Sequence, residues 1–178
     1  MEINASGYLD KAHQINSPNF DERPSESEIN LLVIHNISLP PNEYGGNGVI
    51  ELFTNQINPD AHPYYQNLVG VKVSTHFFIR RDGNIIQFVS CLKRAWHAGV
   101  SSWQNKTHCN DFSIGIELEG CDTEPFAREQ YEKLTQLTRV IQSVYPVTEI
   151  AGHSDIAPGR KTDPGPYFDW VSYRASLV

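Results

Sequence analysis

Basic residues are in short supply: 14 Lys and Arg stand against 21 Asp and Glu, a formal net charge of −7. No phosphate-neutralising stripe is available, which excludes a general binder of nucleic acid or anionic membranes. Long apolar runs are missing too, and none approaches the roughly 20 residues of a membrane span. Cysteine is scarce and odd in number. Cys91, Cys109 and Cys121 lack CxxC spacing, which excludes a paired disulfide framework and fits reduced thiols in a reducing compartment. The first seven residues have neither the basic nor the apolar region of a signal peptide, so a cytoplasmic location is expected. There is no internal repeat and no low-complexity tract. What is left, 178 residues at 39% hydrophobic and 20% charged, fits one soluble domain with a real core. Residues 1–29 read as an irregular N-terminal segment packed on it, and a monomer is expected.

The richest stretch is residues 152–165. It carries His153, Lys161 and Asp163 among Pro158, Pro164, Gly152, Gly159 and Gly165. Proline forbids a long helix and glycine permits sharp turns, so an irregular segment is expected. So constrained a loop holds side chains at fixed angles, as a metal site needs. His153 and Asp163 read as two ligands of a catalytic zinc, with the third at the end of a buried strand.

Residues 31–34, all apolar, predict a strand buried on both faces and ending in His35 and Asn36. Open α/β sheets place ligands just beyond such strand ends. Residues 8–15 read as a short helix, and 47–54 as another. The remainder of 37–70 is a long loop, a wall or lid of the site. Residues 73–80 and 84–89 form a hairpin about the Asp82-Gly83 step. Residues 90–110 are irregular. In residues 113–119, Ile114, Ile116 and Leu118 face a helical layer, and Gly115, Glu117 and Glu119 face a polar cleft. Residues 125–145 predict one long helix with Leu134, Leu137, Ile141 and Val144 as its apolar stripe. Its start is placed at Thr123 and Phe126, and Pro146 ends it. A short strand near residues 149–151 follows, and Asp169 caps a last helix presenting Trp170, Tyr173 and Leu177.

Hydrolytic zinc wants three protein ligands and an open position. His35, His153 and Asp163 supply them. A strand-end His by itself is more often structural, and the same holds for His76 and His97.

Residues 32–41 (Leu-Val-Ile-His-Asn-Ile-Ser-Leu-Pro-Pro), 94–101 (Arg-Ala-Trp-His-Ala-Gly-Val-Ser), 110–120 (Asn-Asp-Phe-Ser-Ile-Gly-Ile-Glu-Leu-Glu-Gly) and 152–165 resemble the zinc N-acetylmuramoyl-L-alanine amidases. Most closely they resemble the cytoplasmic amidases that recycle 1,6-anhydro-muropeptides. The resemblance runs from about Ser17 to Trp170. It implies an α/β fold, a single central mixed sheet flanked by helices, as in peptidoglycan recognition proteins. It implies zinc ligands His35, His153 and Asp163, with Glu117 as catalytic acid/base and Lys161 as the cation near the scissile carbonyl. The substrate implied is an anhydro-muropeptide. Lys72 and His108 fall where related amidases carry basic residues toward the acidic stem peptide.

Several readings stay open beside these. Glu117 could merely pair with Lys161, and Glu119 shares its face. Trp96 could be core or could stack on sugar. Asn36 could bond the substrate amide or orient the neighbouring ligand. Arg160 reads as structural. A muropeptide-binding module without catalysis, or an amidase acting on the intact wall, are the competing functions.

Overall fold

The computed structural model describes residues 1–178. Its strands are β1 (His13–Gln14), β2 (Phe20–Glu22), β3 (Leu31–Ile37), β4 (Phe77–Ile79), β5 (Ile85–Gln87), β6 (Lys93–Ala95), β7 (Ser102–Trp103), β8 (Lys106–Thr107), β9 (Ser113–Glu119) and β10 (Glu149–Gly152). The α-helices are α1 (Gly48–Phe53), α2 (Arg128–Val144), α3 (His153–Ile156) and α4 (Trp170–Ala175). Six strands form a mixed sheet in the order β1-β5-β4-β9-β3-β10. β4, β9, β3 and β10 run parallel, and β5 is antiparallel to β4.

The parallel core explains why β3 reads as a continuous apolar run: its first five residues are buried. One sheet face, with Leu32, Ile34, Phe77, Ile114, Ile116 and Leu118, packs on α2 through Leu134, Leu137 and Ile141. On the other face Phe78 and Ile86 pack with α1, and Leu31 and Val33 pack with Ala98, Cys109 and Ile156. Leu137 is fully buried. Leu137→Ala should therefore cost about 2–5 kcal/mol, read as a lower denaturation midpoint with unchanged slope. No helix is long and apolar enough to cross a membrane.

Several expectations need correction. Residues 90–110 are not irregular throughout: β6 pairs with β2, and β7 pairs with β8. Residues 8–15 are not helical. Leu9 is buried, its N–H bonded to the Gln87 side chain, and β1 pairs with β5. The open sheet edge outbids local helix preference because its N–H and C=O groups need partners. α2 begins later than expected, with Ala127 extended before it and the Gln130 side chain accepting the Ala127 N–H. Phe126 is buried in the core instead of starting the helix. Val144 is half exposed, so the stripe ends at Ile141. Residues 152–165 are not wholly irregular, because α3 gives His153 one helical turn.

Arg23 ties the N-terminal segment beneath the site. Its guanidinium donates to the carbonyls of Cys91, Asn110, Asp111 and Ser113. Burial lowers its pKa to about 10, so it stays charged at neutral pH.

Candidate metal centre

Parallel register carries distant residues to one level. Ile34 pairs with both Ile116 and Gly152, and His35 pairs with Glu117. His153 follows Gly152 directly, so it lies beside His35 at the carboxyl end of the sheet. The Ser154 N–H donates to the Asp163 carbonyl at 2.9 Å, which returns the loop to its own start. Gly152 permits the closure: a Cβ there would lie 2.8 Å from the Pro164 ring.

Three donor atoms meet as a result. His35 Nδ1 and His153 Nδ1 are 3.0 Å apart, and each is 3.1 Å from Asp163 Oδ2. Two imidazole nitrogens and a carboxylate oxygen suit a borderline divalent metal. The His153 Nε2–H donates to the Ala98 carbonyl, 3.1 Å away. That leaves His153 Nδ1 as a bare lone pair aimed at the carboxylate, an arrangement a cation would relieve. The three residues form the only such group of potential metal ligands in the chain. A cleft of about 670 Å³ opens over them, lined by Asn36, Trp96, Glu117, Lys161 and Asp163 among others.

Residues 25–166 match the family described as N-acetylmuramoyl-L-alanine amidase. The chain belongs to this family. It is 52% identical over 170 residues to 1,6-anhydro-N-acetylmuramyl-L-alanine amidase AmpD of Escherichia coli (strain K12), covering 94% of this chain and 93% of that protein. Against the Haemophilus influenzae AmpD it is 50% identical over 174 residues, 96% of this chain and 95% of that one. A crystal structure of a selenomethionine AmpD derivative superposes with a TM-score of 0.97 at 50% identity, covering all of both chains. An Escherichia coli amidase, AmiD, in complex with anhydro-N-acetylmuramic acid-L-Ala-D-γ-Glu-L-Lys gives a TM-score of 0.63 at 27% identity, covering 90% of this chain and 66% of that one. The mixed-sheet fold is that of this hydrolase family.

In this amidase Glu117 stands 8% exposed beside His35, with Oε1 4.0 Å from His35 Nδ1 and Oε2 without a partner. Burial, then the nearby Asp163, pushes its carboxyl well above the usual range, and Lys161 opposes them. Burial lowers His35 to about 4 against the pull of Asp163.

Glu119 differs sharply from Glu117. Its Oε1 accepts the Gly45 N–H at 2.7 Å and its Oε2 the Arg81 N–H at 3.0 Å, with Arg80 3.7 Å away. It pins the 37–46 loop to the hairpin turn. All seven residues of β9 are buried.

The other predicted residues separate into two clefts. Asn36 donates to Asp122 Oδ1 at 2.6 Å, so it is already held from the side. Lys161 is exposed in the main cleft. Lys72 and His108 line a neighbouring cleft of about 610 Å³, and half-buried Trp96 borders both. His76 is structural: its Nδ1 accepts the Gly115 N–H and its Nε2 faces the Lys93 carbonyl. Burial, then Arg23, lowers its pKa to about 3. Arg160 donates to the carbonyls of Ala98 and Val100 at 2.7 Å, strapping one loop to the other. Sequence reasoning gave no part to Asp122, Asn110 or Ser113. The last two lie inside the motif 110–120 but carry no chemistry visible without their partners.

Proposed function

We propose that the chain binds one zinc through His35, His153 and Asp163 and hydrolyses the amide joining the lactyl group of 1,6-anhydro-N-acetylmuramic acid to L-alanine of the stem peptide. The observation that carries this is the meeting of two Nδ1 atoms and a carboxylate oxygen within 3.1 Å of one another. Zinc in such a donor set acidifies a water and polarises a carbonyl oxygen.

Glu117 takes the proton from the attacking water and delivers it to the leaving alanine nitrogen. Its unpartnered Oε2 and its raised carboxyl suit a group that must hold and release a proton. Lys161 supplies positive charge where the oxyanion develops. Asn36, oriented by Asp122, presents its amide to the substrate backbone. Trp96 offers its ring to the sugar at the junction of the clefts. Lys72 and His108 in the second cleft take the acidic stem peptide, as weaker carboxylate partners than Arg would be. Every one of these groups comes from one chain, so a monomer suffices. The substrate class draws on the printed names of the AmpD relatives and the muropeptide held by AmiD. The reading extends to a role for the reaction in cytoplasmic recycling of peptidoglycan fragments.

Release of free stem peptide from soluble anhydro-muropeptide should exceed release from intact sacculus by at least about tenfold at equal bond concentration, a kcat/KM contrast of about 1.4 kcal/mol or more. Equal rates on both would overturn the substrate assignment. Stoichiometric zinc without release from either would leave only a binding module.

A further inference from the structure

We infer that the dipeptide His97-Ala98 orients both imidazole ligands of the proposed metal site, fixing each as the Nε2–H tautomer, and that Asn110 holds the dipeptide in place. The inference rests on the metal reading above. It is carried by a chain of hydrogen bonds whose direction is set at its fixed end.

That end is the Cys109 carbonyl, which can only accept. Ser113 Oγ is 2.6 Å from it, so the hydroxyl proton points there. The Ser113 oxygen is then free to accept from His97 Nε2, 3.2 Å away. The His97 ring is buried beside two other imidazoles, His35 and His76, and its ring nitrogens meet only His35 Nε2 and Ser113 Oγ, with no carboxylate to hold a second proton. A neutral ring with its proton on Nε2 has a bare Nδ1. That atom faces His35 Nε2 at 2.9 Å, so the proton between them belongs to His35. His35 Nδ1 is left as a lone pair aimed at Asp163 and His153.

The next residue does the same for the other ligand. The Ala98 carbonyl can only accept, and His153 Nε2 is 3.1 Å from it. Arg160 Nη2 lies 3.5 Å from the same nitrogen but donates at 2.7 Å to the Ala98 and Val100 carbonyls, so the His153 proton stays on Nε2 and Nδ1 is bare as well. Both acceptors hang on one anchor, because Asn110 Oδ1 accepts the backbone N–H of His97 at 3.1 Å and of Ala98 at 2.8 Å. β9 makes room for this arrangement. A Cβ at Gly115 would lie 2.5 Å from the His97 ring. Along one face of that strand, Ser113 sets the proton direction, Gly115 admits the imidazole and Glu117 reaches the cleft. His97 is thus a positioning residue: it touches a ligand, and its own lone pair decides which nitrogen that ligand offers.

Two measurements test this. Long-range ¹H–¹⁵N correlation spectra, on zinc-loaded and metal-free protein, should show His97 protonated at Nε2 and bare at Nδ1. Chelator competition should show zinc held about 10–100-fold more weakly by His97→Leu, which fills the space but removes the acceptor. His97→Asn, whose Oδ1 can stand where Nδ1 was, should stay within about threefold of the parent. His97 found protonated at Nδ1 would overturn the inference, as would parent-like affinity in His97→Leu or equal weakening in the Leu and Asn variants. If the parent binds no zinc, the metal reading fails, while the His97 tautomer in the metal-free protein still decides the hydrogen-bond chain. Should His97→Leu fail to fold, the parent spectra decide alone.

Discussion

Replacing Glu117 by Gln should lower turnover on anhydro-muropeptide by a factor of about 10²–10⁴ while one zinc stays bound, the usual scale of general acid–base catalysis. Gln keeps the shape and the hydrogen-bonding reach of the side chain but cannot accept a proton from water. The pH profile adds a signed test. Burial and Asp163 raise the Glu117 carboxyl, so it becomes protonated at a higher pH than an ordinary carboxylate. A protonated Glu117 cannot act as a base. Any acid limb of kcat/KM that this carboxyl sets should vanish in the variant. Stability supplies the control. A carboxyl whose folded pKa exceeds its unfolded value favours the fold fully below the unfolded pKa, and that advantage is lost as pH rises through the folded pKa. At pH 8, well above the ordinary carboxylate range, the raised Glu117 carboxyl weighs against the metal-free fold and Gln does not. Metal-free Glu117→Gln should melt no lower than the parent at that pH. Parent-like turnover in the variant would hand the proton transfer to another group. Glu119 is a poor substitute, since both its oxygens already accept backbone N–H groups.

His153→Ala should abolish both zinc binding and hydrolysis. It removes one of three donor atoms that lie within 3.1 Å of one another and leaves His35 and Asp163 alone. Two protein donors fall short of the three that hold catalytic zinc. The loss of affinity should exceed the roughly 100-fold ceiling typical of changes to outer-shell partners. Turnover should fall to the buffer blank. The fold should survive in outline, because Arg160 still donates to the Ala98 carbonyl that loses His153. Zinc measured by atomic absorption, together with peptide release, reads both losses on one sample. Stoichiometric zinc with turnover intact would place the metal elsewhere.

The contrast between the two glutamates shows where sequence reading stops. Alternation along β9 puts Glu117 and Glu119 on one face and predicts no difference between them. Only their partners separate them: backbone amides of Gly45 and Arg81 for one, and an open cleft for the other. The same holds for Asn110 and Ser113, small polar residues whose work depends on a dipeptide and a ring brought to them by the fold. The N-terminal segment misled for a related reason. Residues 8–15 have local helix character, but a sheet edge formed by residues 85–87 claims them.

Short-range pattern alone determined the buried strand before His35, the alternation of residues 113–119, the body of α2 and the constrained loop after His153. Each depends on neighbours within a turn or a strand, so composition and spacing suffice. Tertiary structure decided that His35 and His153, 118 positions apart, share one level, and that Asp163 folds back between them. Parallel register across β9, β3 and β10 does this, and register is set by which hydrophobic faces pack together, a property no single segment contains.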